Sequence, residues 1–101
     1  MKIKDNPNLL AELASVCNPI EFIKSIMTLQ EQTGEDVAKA ANMSIPHFYI
    51  TLGRIKTDGV GITPELCVRL ANALDIDPVI LHRVICDYRI KCYLAKQQNT
   101  K

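Results

Sequence analysis

The chain has 101 residues, enough for one small domain, and 48 % of them are hydrophobic, which excludes a globally disordered protein. The formal net charge is only +1, so no uniformly basic surface indicates nucleic-acid binding, although residues 82–101 carry five Lys or Arg against one Asp. No apolar run is long enough to span a bilayer or to act as a signal peptide, so we expect a cytoplasmic protein without a membrane partner.

Four cysteines lie in apolar patterns, at Cys17, Cys67, Cys86 and Cys92. None forms a C-x-x-C pair, and the two histidines do not complete a zinc-binding spacing. We therefore expect buried free thiols in a reducing compartment, with no metal ion and no cofactor.

Asn-Pro pairs begin the first two predicted helices, which cover about 6–16 and 18–32. Asparagine can cap the free amides of a first helical turn, and proline suits that turn because it has no backbone N–H. Thr33 begins the third helix in the same way, with Glu35 and Asp36 placed favourably for the helix dipole.

The fourth predicted helix begins after Ser44 and ends near Ile55, before a loop with the sequence KTDGVG over 56–61. Thr63 caps a fifth helix, with leucines at helical spacing along one side. The connections are short, and no stretch alternates strictly enough to predict a strand.

Asp77-Pro78 begins a sixth helix that we expect to end near Ala95, followed by a flexible tail over 96–101. The sequence thus predicts an all-α protein, a compact bundle of five to six helices with a long C-terminal helix. Residues 1–95 would form the single domain.

The sixth helix has two apolar faces. The broader face contains Ile80, Leu81, Val84, Ile85, Tyr88 and Cys92, and the narrower face contains Val79, Cys86, Ile90 and Tyr93. Because a small domain has one core, only one face can pack inward. The narrower face is then either covered by the N-terminal helix or is the seam of a homodimer.

The third and fourth helices, over about 33–55, have the pattern of a helix-turn-helix. Val37, Ala38 and Ala41 would form the inner face of the first helix. Asn42 stands at the corner, where a left-handed backbone is needed and asparagine tolerates it. Met43 would fill the turn.

The inner face of the fourth helix would be formed by Phe48 together with Thr51 or Leu52. Ser44, which begins this helix, would cap it.

Three segments carry a resemblance to a known family: TGEDVA at 33–38, the Met43-Ser44 pair, and LCVRLANALDI at 66–76. With their surroundings, from about Phe22 to Val84, they resemble the Cro and lambda-repressor-like (XRE-type) helix-turn-helix family. The segment ITPELCVRLANALDIDPVIL also looks like a phage- or prophage-encoded branch of unknown function. The resemblance implies a DNA-binding regulator whose fourth helix enters the major groove.

The resemblance also assigns roles to single residues. The family's phosphate-contacting Gln after the Thr is Gly34 here, and its usual Glu after the inward residue is Leu52. The positions implied to contact base edges are Ser44, Ile45, Pro46, His47, Tyr49 and Ile50. The residues suited to phosphate contacts are Arg54, Lys56 and Lys39, with the amides near Gly59 and Gly61.

The apolar character of the fourth helix leaves a second function open. Ile45, Tyr49 and Ile50 could instead dock into a groove of a protein partner, as in an antitoxin-like or inhibitor protein. Catalysis has little support, since the chain has no Gly-rich phosphate loop and no nucleophile–base spacing. We expect a non-enzymatic repressor of phage or mobile-element type that binds double-stranded DNA as a homodimer, or else a protein-interaction module.

Overall fold

The computed structural model describes residues 3–16, 18–57 and 62–99, and within them the chain is all-helical. A 3₁₀ turn at Ile3–Asp5 precedes six helices. They are α1 (Pro7–Val16), α2 (Pro19–Leu29), α3 (Gly34–Ala40), α4 (Ile45–Thr57), α5 (Pro64–Leu74) and α6 (Pro78–Asn99). The predicted fold class is confirmed. None of the described helices has a stretch long and apolar enough to cross a membrane.

The predicted capping residues form the expected hydrogen bonds at the helix starts. Thr33 and Asp36 form a reciprocal capping box, in which the Asp36 amide donates to Thr33 Oγ1 and the Thr33 amide donates to the Asp36 carboxylate. Side-chain oxygens at the other starts each accept a bond from a first-turn amide, and they belong to Asn6, Asn18, Ser44, Thr63 and Asp77.

Within the described residues, three helices are followed within two residues by one with left-handed backbone angles, namely Glu31, Asn42 and Asp75, with φ between 57° and 58°. Asn42 was expected from the sequence, and the other two were not, because neither is the glycine that usually marks such a position. After Glu31 turns the chain, the Gln32 amide donates to the Met27 carbonyl over 2.8 Å. This closure ends α2 at Leu29, three residues before the predicted end.

The predicted end of α2 was too late in the sequence, whereas the predicted end of α6 was too early. Helix α6 continues to Asn99 rather than ending near Ala95, so residues 96–99 of the predicted tail are helical. Thr100 and Lys101 lie outside the described residues. No glycine or proline follows Ala95 to end the helix, and the residues that follow are compatible with helical structure.

The core lies where α2, α3, α4, α5 and α6 meet. Its largest fully buried side chains include Phe22, Ile23, Ile26, Phe48, Ile55, Leu70, Leu74 and Leu81. Ile3, in the 3₁₀ turn that the sequence did not predict, is also completely buried. The side chain of Gln30 holds that turn in place, because it accepts a bond from the Ile3 amide and donates one to the Leu74 carbonyl.

The cysteines only partly follow the prediction of buried thiols. Cys67 is buried, and burial raises the pKa of its thiol above the ordinary value. Cys86 and Cys92 are free thiols but half-buried, which corrects the prediction. Both lie on α6. Cys17 lies outside the described residues.

Candidate nucleic-acid interface

The turn between α3 and α4 is closed by backbone bonds at a left-handed Asn42. Its amide donates to the Lys39 carbonyl over 3.1 Å, and the amide of the next residue, Met43, donates to the Ala38 carbonyl over 2.9 Å. Met43 and Ala41 are buried beneath the turn, so the corner is packed as the sequence predicted. This closure fixes where α4 begins relative to α3.

Arg69 of α5 provides a second closure that the sequence analysis did not identify. Its guanidinium donates from Nε to the Ala41 carbonyl over 3.1 Å and from Nη2 to the Asn42 carbonyl over 2.6 Å. These are the carbonyls that the end of α3 leaves without helical partners. Arg69 therefore ties the helix-turn-helix to α5. The available indication of this contact in the sequence was a single arginine between the inward-facing leucines at 66 and 70.

The inner face of α4 is anchored firmly. Phe48, Thr51 and Ile55 are each at most 1 % exposed, and they share one side of the helix. The buried Thr51 hydroxyl donates a hydrogen bond to the His47 carbonyl over 2.9 Å, so it is not left without a partner. Of the two predicted inward positions after Phe48, Thr51 is therefore the buried one, whereas Leu52 is only half-buried at the edge of the core.

The outer face of α4 is open along its first three turns. Ile45 is 43 % exposed, Tyr49 56 % and Ile50 55 %, and His47 is exposed beside them. Ser44 is also exposed, and its hydroxyl oxygen already accepts the His47 amide over 3.1 Å. No described part of the chain covers this face, so it is accessible to a ligand.

Tyr49 lies across the start of α3. A Cβ atom placed on Gly34 would stand 2.5 Å from the Tyr49 hydroxyl oxygen and 3.2 Å from the adjoining ring carbon. The ring also meets Phe48 edge-on, with centroids 5.4 Å apart. The phenol therefore occupies the space that a side chain at position 34 would need, which links the glycine of the third helix to the exposed tyrosine of the fourth.

Gly53 is a further feature of the outer face that the sequence analysis did not single out. It lies in the interior of α4, one turn after Tyr49 and Ile50, and no atom of the described residues lies within 4 Å of the Cβ position that it lacks. Glycine costs a helix interior about 0.5–1 kcal/mol relative to alanine, so packing within the chain does not explain it. Because glycine has no side chain, the backbone of α4 is uncovered at that point, and a ligand could approach it closely.

The cations predicted to contact phosphate are exposed near this face. Arg54 and Lys56 are in the last turn of α4, and Lys39 is in the last turn of α3. At about 100° per residue, Arg54 and Lys56 fall on opposite sides of Gly53. The predicted backbone contacts from Gly59 and Gly61 lie outside the described residues.

The narrower face of α6 is exposed as well. Val79 is 60 % exposed, Ile90 59 % and Tyr93 62 %. Helix α1 lies along one flank of this face, where its residues line a pocket together with Ile80, Arg83, Val84 and Asp87. The N-terminal helix therefore does not cover this face. This contradicts the first of the two interpretations of the face, in which the N-terminal helix covers it. Leu94, half-exposed, extends the apolar surface.

Among the described residues, no group of three His, Cys, Asp or Glu side chains could hold a metal ion. The pKa of the Asp36 carboxylate, in the first turn of α3, is lowered by the bonds from Thr33, which is a capping role. Comparison of the chain with protein-family profiles, with curated proteins and with solved structures gives no match.

Proposed function

We propose that the protein is a sequence-specific DNA-binding regulator, a repressor of phage or mobile-element type, which inserts α4 into the major groove. The observation that carries the proposal is the geometry of α4: its Phe48 side is buried and its Ile45–Ile50 side is exposed. A helix held from behind by a packed turn and open in front fits a groove wide enough for one helix. The likeness of the 33–76 segment to XRE-type regulators supports the same function.

The chemistry of the exposed side chains indicates what the helix would recognise. Ile45 and Ile50 would lie against thymine methyl groups, and His47 would donate to a guanine acceptor. Tyr49 and Ser44 have hydroxyl hydrogens with which to donate to phosphate oxygens. We expect a preference for thymine-containing steps, since no outward Arg, Asn or Gln of α4 is placed in its first two turns to bind purines in a bidentate manner.

Affinity would come from the few cations around the helix. Arg54, Lys56 and Lys39 would each neutralise a phosphate and release a counterion, so binding should weaken steeply with salt. Because three cations give little affinity, the regulator would bind as a homodimer to two half-sites about one helical turn apart.

The test is a selection of duplexes from a random library, followed by fluorescence anisotropy of the best duplex across a range of salt concentrations. Replacing both Arg54 and Lys56 by alanine should reduce the slope of log K against log salt by about 2 for each bound subunit, and so by about 4 for the homodimer. The matched control replaces Lys91 and Lys96 of α6, which removes the same charge away from α4. Equal losses from both pairs, or no selected duplex at all, would refute the proposal.

A second candidate function has one observation in its favour. Ile45, Tyr49 and Ile50 together expose more apolar surface than a solvated helix usually carries, which fits docking into a groove of a protein partner. Under this function Tyr49→Glu abolishes a protein complex. Gel filtration with random duplex DNA at low and moderate salt separates the two functions, because only a DNA-binding protein shows a salt-dependent shift in elution.

A further inference from the structure

The exposed face of α6 has the spacing of a coiled-coil seam. Its central residues follow one another at alternating intervals of four and three, a repeat of seven in which two positions face a partner helix. They are Val79, Arg83, Cys86, Ile90, Tyr93 and Gln97. Four of the six are apolar or a thiol, and the other two are Arg83 and Gln97. Arg83 also lines a pocket beside α1, and a polar residue at such a position can fix the register of two paired helices.

The second half of α6 extends beyond the rest of the protein. The helix has 22 residues, which is about 33 Å at 1.5 Å per residue. From Arg89 to Gln97 every side chain is exposed except the half-buried Cys92. The projecting segment from Arg89 to Gln97 is shorter than the roughly 12–15 residues that an isolated helix needs in water, and it gains stability when another helix covers its apolar side.

The charges beside the seam favour one orientation of the second helix. One edge carries His82, Arg89 and Lys96, and the other carries Asp87 between Ile80 and Leu94. In an antiparallel pair the two basic edges would face each other. In a parallel pair each basic edge faces the opposite edge of its partner, which brings His82 next to Asp87 of the second copy, twice by symmetry.

We propose that two copies of this chain pair through α6 as a parallel two-stranded coiled coil, with Cys86 facing Cys86 of the second copy. This pairing would supply the homodimer of the proposed function. The biological role of the dimer rests on that function, but its formation does not, since the two copies pair without DNA. A two-fold axis along the paired helices would carry both copies of α4 to the same end of the dimer, as two half-sites on one side of a duplex require.

Thiol crosslinking tests whether Cys86 lies opposite Cys86 of the second copy. A protein with Cys17→Ser and Cys92→Ser keeps Cys86 and the buried Cys67, and diamide should link it into a disulfide dimer without loss of helicity. The control carries Cys17→Ser and Cys86→Ser and retains Cys92, which lies away from the seam, so it should remain uncrosslinked. A dimer that crosslinks through Cys92 but not Cys86, or through neither, would overturn the parallel seam.

Sedimentation equilibrium without DNA tests the pairing itself. The wild-type chain should sediment as a dimer and Ile90→Glu as a monomer with unchanged circular dichroism, because Ile90 is largely exposed in the isolated subunit. Val68→Glu, at an exposed apolar residue of α5, is the matched control and should remain dimeric. A monomeric wild type, or equal dissociation by both variants, would overturn the proposal. Loss of DNA binding by a chain that remains dimeric would count against the proposed function alone.

Discussion

Gly34→Ala tests whether the Tyr49 ring occupies the space that the structure gives it. In most helix starts this change would stabilise the protein by about 0.4–1 kcal/mol, because alanine restricts the unfolded chain. Here the new Cβ would overlap the Tyr49 hydroxyl, which stands 2.5 Å away, so the ring must move. Tyr49 is more than half exposed and can swing outward, but it then loses its edge-on contact with Phe48.

An aromatic contact of that kind contributes about 0.5–1.5 kcal/mol. The expected gain and loss are therefore similar, and Gly34→Ala should leave the free energy of unfolding within about 1 kcal/mol of wild type. In a Tyr49→Phe background the nearest atom would be a ring carbon at 3.2 Å, which a small shift accommodates. There the same change should stabilise the protein, with a coupling of about 0.5–1 kcal/mol between the two positions.

The assay is urea unfolding of the four proteins of the cycle, followed by far-ultraviolet circular dichroism. Gly53→Ala is the matched control, since its new Cβ meets nothing within 4 Å, and it should stabilise the protein with either residue at position 49. Additivity of Gly34→Ala and Tyr49→Phe within about 0.3 kcal/mol would refute the reasoning, because it would mean that the ring does not fill this space.

Three further outcomes are expected. Gly53→Ala should raise the free energy of unfolding by about 0.5–1 kcal/mol, and Gly53→Leu should weaken duplex binding in anisotropy at unchanged helicity if a ligand approaches α4 there. Arg69→Met should lower stability by about 1–2 kcal/mol through loss of its two bonds, with faster hydrogen exchange of the Met43 amide. Asp36→Ala should destabilise the protein at neutral pH. Because the pKa of Asp36 is lowered in the folded state, its contribution is complete above the ordinary carboxyl value and disappears as pH falls through the lowered one, so unfolding curves of both proteins should converge in acid.

Local signals in the sequence predicted the helix starts better than the helix ends. Capping residues such as Thr33 and Ser44 bond to amides within four residues, so both partners of each bond lie in the same short stretch of sequence. The end of α2 depends instead on Glu31 adopting left-handed angles, which follows from the packing of the next helix rather than from its own preference. The extent of α6 was missed for a similar reason, since no residue after Ala95 forces the helix to continue or to stop.

Helical periodicity predicted which side chains of the candidate site face inward and which face outward. Periodicity placed Phe48 inside and Tyr49 outside, as found. It could not reveal that Arg69, 27 positions after Asn42, reaches that residue's carbonyl, nor that Tyr49 covers Gly34. Both contacts join residues far apart in sequence, and single-sequence patterns do not carry that information.

The left-handed residues at the helix ends have a consequence for how the protein could evolve. Glu31, Asn42 and Asp75 each hold a backbone conformation that disfavours a side chain by roughly 1–2 kcal/mol, and glycine would relieve that strain. One such replacement would offset a destabilising change of typical size elsewhere. New side chains on α4 could thus be tried, and new ligands acquired, while the helical scaffold stays intact.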